Sequence, residues 1–267
     1  MMQFKQPTIL LTFDVEEFDL PLEFKEDIAL GRQMKIGKEG LDVITNVMNE
    51  HAVACTLFTT GSFAKTYPEV VKDLSAKHEI ASHSLFHSTF KTTDLLESKL
   101  LLQDITGKPV EGFRMPRMKP VNVIDLKNAG YTYDASINPT ILLGRYNNLH
   151  LPRTFYRENN FLRMPGSVTP NFRVPLFWLS FKNFPHKIYL KLAMQTLQKD
   201  GYLSLYFHPW EFTDISLFRL PFYIKRLSGI ELTERLNWLI DDLKKAGTFS
   251  TVKDYIEQHV SVKQISL

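Results

Sequence analysis

Apolar positions along the chain fall into short, β-branched runs separated by segments with helical spacing. Residues 8–13 form the first run, with Thr8, Ile9 and Thr12, and lead straight into acidic residues, as a buried strand does at a ligand-facing edge. Leu41, Ile44, Val47 and Met48 predict a helix over 40–50, and a second strand is expected over 52–60, stopping at Gly61. A helix over 68–77 and a strand over 79–82 follow, then a helix over 94–105 with Asp94 and Glu97 spaced as a capping box and Gly107 as its stop. Strands are expected near 112–114, 131–136, 161–164, 203–207 and 249–252, and helices over 121–128, 187–199 and 232–245. Residues 138–160 read as a long loop, and 174–184 as an interior strand and loop. Such alternation is the pattern of a parallel sheet with crossover helices, open or closed into a barrel. No repeat or low-complexity linker interrupts it, so residues 1–267 are expected to form one domain.

Composition narrows the function classes. At 267 residues, 44% hydrophobic and 23% charged, the chain has the make-up of an ordinary globular protein. Its formal charge of +3 comes from Lys and Arg scattered among 29 acidic residues, with no basic stripe to follow phosphates, so nucleic acid is not an expected partner. Cys55 is the lone cysteine, which excludes an internal disulfide and leaves any metal to histidine and carboxylate ligands. The first seven residues lack the layout of a signal peptide, and the chain shows no apolar span of about 20 residues, so a cytoplasmic location is expected.

Four polar groups gather where strands are expected to end, the edge at which parallel α/β folds place their sites. In Thr12-Phe13-Asp14-Val15-Glu16-Glu17 an extended backbone sets Asp14 and Glu16 on one face, where two carboxylates can divide the work of base and ligand. Read alone, the same string fits a solvated acidic loop. His83-Ser84-Leu85-Phe86-His87 spaces two imidazoles by four residues, so that both nitrogens can reach one zinc at about 2.0–2.1 Å. Read alone, it is equally a pair of buried histidines satisfied by backbone groups. Arg114, in Gly112-Phe113-Arg114-Met115-Pro116-Arg117, offers a planar fork that can hold Asp14, or else a surface ion pair. His208, in Leu205-Tyr206-Phe207-His208-Pro209-Trp210-Glu211, is available as a proton donor to a leaving amine. Trp210 is either a sugar-stacking platform or part of the core.

In order and spacing these segments resemble the polysaccharide deacetylases, carbohydrate esterase family 4, whose defining unit is the NodB homology domain. The resemblance runs from about residue 8 to 252. It implies an α/β fold, a distorted (β/α) barrel of about seven strands, and a divalent metal, zinc, held by two histidines and one acid. It implies further that Asp14 is the base, His83 and His87 are ligands, Arg114 orients the base and His208 is the acid. Most relatives have adjacent aspartates in the first motif. Here Val15 takes the second place, as in acid-x-acid branches, which makes Glu16 the ligand, with Glu17 as the other possibility. Arg117 stands where many relatives have an aromatic residue whose backbone N–H serves an oxyanion hole, so Met115, Arg117 and Trp210 are the expected substrate contacts. Asp134 survives from a fourth motif without its usual tryptophan, leaving the partner of His208 unassigned. The implied substrate is an N-acetylated oligosaccharide or lipid-linked amino sugar, with membrane-surface contact through 175–179 as an option. The alternatives are an allantoinase-like or cyclic-imide hydrolase, and a catalytically silent glycan-binding relative.

Overall fold

The computed structural model describes residues 6–260. Eleven strands are found among them. They are β1 (Thr8–Val15), β2 (Thr56–Thr59), β3 (Glu79–Ser82), β4 (Gly112–Phe113), β5 (Tyr133–Asp134), β6 (Ile141–Leu142), β7 (Tyr146–Asn147), β8 (Tyr156–Glu158), β9 (Phe161–Arg163), β10 (Tyr202–Phe207) and β11 (Thr248–Phe249). The main sheet runs β10-β1-β2-β3-β4-β5-β9-β8, parallel throughout except for the antiparallel β8, and β11 pairs with the start of β1. The seven parallel strands curl into the expected distorted barrel. Its seam, between β9 and β10, is bridged by Ser167, whose N–H donates to Ser204 O at 2.9 Å and whose hydroxyl accepts from Ser204 N–H at 2.8 Å.

Alternation along each strand decides what becomes core and what becomes site. Every residue of β1 is buried, as in a strand covered on both faces. Ile9, Leu11, Phe13 and Val15 pack outward against the helices, in one cluster with Leu41, Ile44 and Leu239, while Leu10 packs inward with Phe58, Ala81, Tyr133 and Leu162. The inward row of β1 therefore continues into Thr12, Asp14 and Glu16, and that of β10 from Tyr202 through Tyr206 to His208. Successive inward positions are apolar at the floor and ionisable at the strand ends.

The helix expected over 40–50 is Leu30–Glu50, ten residues longer. Two of its glycines, Gly37 and Gly40, serve close packing. A Cβ on Gly37 would stand 2.4 Å from Glu16 O, and one on Gly40 would stand 1.9 Å from Pro209 O. Both backbone segments that carry site residues thus lie directly on this helix. Gly40→Ala is expected to cost about 1–3 kcal/mol through overpacking and to displace the segment following His208. Urea unfolding of the variant checks this; an unchanged midpoint would refute it.

Other elements differ from expectation for local reasons. The second strand spans only 56–59, and Gly61 opens a helix, Gly61–Thr66, capped by the Thr60 hydroxyl, which accepts from Phe63 N–H at 3.3 Å. The helix Thr93–Thr106 stops at left-handed Gly107 (φ 66°) as expected, but Asp94 accepts from Lys91 N–H and the expected capping box is absent. The 138–160 loop holds the β6–β7 hairpin, turning at Gly144 (φ 78°), and then β8. Residues 174–184 contain a helix, Trp178–Asn183, in place of the expected strand, because Ser180 Oγ accepts from Phe177 N–H at 3.1 Å and pins its first turn. Among the described residues no helix is long and apolar enough to cross a membrane.

Candidate active site

Two strand ends, those of β1 and β3, deliver three candidate ligand atoms to one point. Glu16 Oε2 lies 3.1 Å from His83 Nε2 and 3.1 Å from His87 Nε2, all three side chains being buried. Each imidazole is fixed from behind. His83 Nδ1 donates to Arg114 O at 2.8 Å, and His87 Nδ1 donates to Asp19 Oδ1 at 2.8 Å, so both rings present Nε2 to Glu16. The donor set of two imidazole nitrogens and one carboxylate oxygen, with ligand atoms all within 4.8 Å of one another, fits a divalent cation with a coordination position left open. Glu17 does not share this role. Its carboxylate accepts from Thr60 and Ser62 hydroxyls at 2.9 Å each and from His87 N–H at 3.1 Å, which anchors the second histidine.

The electrostatics of the cluster agree with a cation site. Burial alone would raise the Glu16 carboxyl, but His87, His208 and His83 together hold it far below the ordinary carboxylate range. Burial alone would lower His87, yet Glu16 and Asp19 push it up to about 9, so without a metal a proton takes the place of the positive charge. A histidine raised in the folded state adds stability that is complete below its unfolded value near 6.5 and is lost as pH rises through about 9. The metal-free protein is therefore expected to lose roughly 3 kcal/mol over that window. Zinc should abolish the loss by replacing the proton. Urea unfolding at several pH values, with chelator or zinc, measures both effects; a flat metal-free profile would contradict the assignment.

Asp14 lies beside the triad. Arg114 Nη1 donates to Asp14 Oδ1 at 2.6 Å and to Thr12 Oγ1 at 2.9 Å, and its guanidinium carbon lies 3.9 Å from the Phe58 ring centroid. The free oxygen, Asp14 Oδ2, stands 3.9 Å from His208 Nε2 and 4.0 Å from His83 Nε2. Burial pulls the His208 pKa down, but Glu16, Glu211 and Asp14 outweigh it and raise it above the usual imidazole value.

The expected substrate contacts separate. Arg117, at left-handed φ 58°, lines the cavity and bonds Asp19 at 2.8 Å, His87 O at 3.1 Å and Glu23, so it braces His87. Trp210 lines the cavity but is only 2% exposed, and its Nε1–H donates to Glu16 Oε1 at 3.0 Å, which orients that carboxylate. Met115 is buried in the main core, and its N–H donates to Ser136 Oγ at 2.7 Å, so it does not reach the cavity; Met118 lines it instead. Asp134 is bonded to Arg163 at 2.6 Å and to Ser136, and through Ser136 it holds the Arg114–Met115 segment. Asp19 and Glu211 were not foreseen. Only the three-residue step from His208 to Glu211 gave any sequence signal. The cavity above these groups measures about 340 Å³, with Leu142, Tyr146, Trp178 and Tyr223 in its upper walls.

Residues 2–133 match the family described as polysaccharide deacetylase. Just under half of the chain is thus similar to that family. Solved structures agree with this fold. A putative polysaccharide deacetylase from Mycobacterium smegmatis is 16% identical with a TM-score of 0.66, the match covering 99% of this chain and 93% of that chain. The Puue allantoinase is also 16% identical, with a TM-score of 0.63 and coverage of 97% and 93%. A probable polysaccharide deacetylase from Pseudomonas aeruginosa PAO1 is 15% identical, with a TM-score of 0.63 and coverage of 94% and 91%. At these identities the likeness shows the deacetylase fold, while the matched segment, 2–133, contains Asp14, Glu16, His83, His87 and Arg114.

Proposed function

We propose that this chain, acting as one catalytic unit, is a metal-dependent hydrolase that removes the N-acetyl group from an amino sugar, free in an oligosaccharide or attached to a lipid carrier. One observation carries the reading. The unpaired oxygen of Asp14 faces His208 Nε2 beside the Glu16, His83, His87 set, so a base, an acid and a cation site converge on one point. A divalent ion, zinc by the chemistry of the donors, would supply Lewis-acid polarisation of the acyl oxygen and acidification of water.

The remaining work falls to the protein. Arg114 occupies Asp14 Oδ1, leaving Oδ2 to take the proton of an attacking water. His208, with its raised proton affinity, delivers a proton from Nε2 to the departing amine. The balance is one water consumed, the amide C–N bond broken, and acetate and an amine released. Phe177, Trp178 and the carboxylate-facing Trp210 exclude bulk water from the floor, while Tyr146 and Tyr223 offer ring faces on which a pyranose can rest.

The test is acetate release by zinc-loaded protein from N-acetylated glucosamine oligomers, run beside ring opening of allantoin. Acetate without ring opening is the expected result. The allantoinase-like alternative rests on the acid-x-acid motif, and ring opening without acetate would favour it. Zinc bound with neither product would favour the silent glycan-binding reading.

A further inference from the structure

In this chain the fourth-motif aspartate is diverted. Asp134 is committed to Arg163 and Ser136, so His208 must take its orientation from elsewhere. The turn that follows β10 provides it. Glu211 Oε1 accepts from His208 N–H at 2.8 Å and from His208 Nδ1 at 3.0 Å, fixing both the backbone and the ring of one residue. The other oxygen, Glu211 Oε2, lies 3.4 Å from Lys182 Nζ. Both Glu211 and Lys182 are 0% exposed. A fully buried lysine is costly unless paired, and Glu211 is the carboxylate paired with it here.

Lys182 belongs to the helix Trp178–Asn183, whose first residue also touches His208. The Trp178 ring meets the His208 ring edge-on at 5.2 Å, and the His208 ring stacks on Trp210 at 4.9 Å. The imidazole is thus clamped by two indoles and pinned at Nδ1, which leaves Nε2 as the atom presented to Asp14. We infer that Lys182, Glu211 and His208 form a positioning relay, in which Glu211 fixes the ring and its proton-bearing Nδ1, and Lys182 moderates the negative charge that Glu211 projects onto the ring. This relay rests on the reading of His208 as the proton donor. Its effect on the ring, however, is measurable without turnover.

The charged and titratable groups that face His208 are Asp14 and Glu16 from the end of β1, Tyr206 from its own strand and Glu211 from its own turn, with Lys182 behind Glu211. Two substitutions change only the last pair, and they act in opposite directions. Glu211→Gln keeps an acceptor for Nδ1–H but removes the negative charge, so the ring should lose its proton at a pH about one to three units lower. Lys182→Met removes the moderating positive charge, so the ring should lose its proton at higher pH.

The experiment is nitrogen NMR of 15N-histidine-labelled, metal-free full-length protein, with His208 assigned by its absence in His208→Gln. Wild type should show Nδ1 protonated across the neutral range, and the two variants should displace the titration midpoint in opposite senses. Where zinc-loaded protein turns over substrate, the alkaline limb of kcat/KM should move with each midpoint. Lys182→Met/Glu211→Gln removes the buried pair together, so neither charge is left without its counter-charge in the event that a single variant fails to fold. It should follow the Glu211→Gln shift. Midpoints that stay put or move in the same sense, or a double variant that titrates like wild type, would overturn the relay. An inactive protein whose midpoints split as expected would overturn the hydrolase reading and leave the relay standing.

Discussion

Asp14→Asn is expected to reduce acetate release by about 10²–10⁴-fold, the usual span for removal of a positioned general base, while bound zinc stays near one equivalent. The asparagine carbonyl can still accept from Arg114 Nη1, which now reaches Asp14 Oδ1 at 2.6 Å, so the guanidinium keeps its place. The Glu16, His83 and His87 ligand atoms are not altered, since Asp14 Oδ2 is 4.0 Å from the nearer imidazole. What disappears is the one oxygen able to receive a proton. Steady-state kinetics with elemental analysis of the same sample checks both halves. A variant that retains more than a tenth of wild-type turnover would remove Asp14 from the base role, and a variant that loses its metal would move it into the ligand set.

The largest stability effect is expected at Arg114. Arg114→Met should cost about 3–5 kcal/mol, the range for breaking a buried ion pair by deleting one partner. Arg114 is 1% exposed and Asp14 3% exposed, so neither is screened by water. The guanidinium also bonds Thr12 Oγ1 at 2.9 Å and Ala135 O at 3.3 Å, tying β1 to the segment after β5 across the inside of the barrel. Methionine fills much of the volume against Phe58 but leaves the Asp14 carboxylate buried without its cation. Urea unfolding of the two proteins at neutral pH measures the difference. A loss below about 1 kcal/mol would mean that Asp14 is solvated or protonated in the variant.

Much of this arrangement was legible in the chain. Asp14, Glu16, His83, Arg114 and His208 each follow an apolar run closely, and alternation from that run puts them on the inward side, so their convergence follows from the strand pattern. The sequence favours Glu16 over Glu17 as the candidate ligand, but what occupies Glu17 was not legible, because Thr60 and Ser62 arrive from a different loop. Trp210 shows the same dependence. Its sequence setting allows sugar platform or core, and only the position of Glu16 turns its N–H into a carboxylate anchor. The early half of the helix Leu30–Glu50 was not legible, because Gly37 and Gly40 carry no apolar side chain and their purpose lies in the backbones packed against them. The two-residue strands β6 and β7 lie within a polar loop and leave no periodic trace.

β1 pairs with β10, and the Thr12 hydroxyl donates to Leu205 O across 193 residues of chain. A nascent polypeptide that has emerged only as far as β5 already contains Glu16, His83 and His87, with neither His208 nor Trp210 yet synthesised. Closing so wide a loop is slow, because its entropy must be lost before the contacts it brings are gained. The side chains that face Glu16 and Asp14 from the far end of the chain, Trp210 and His208, therefore arrive last, and the site is complete only once this loop has closed.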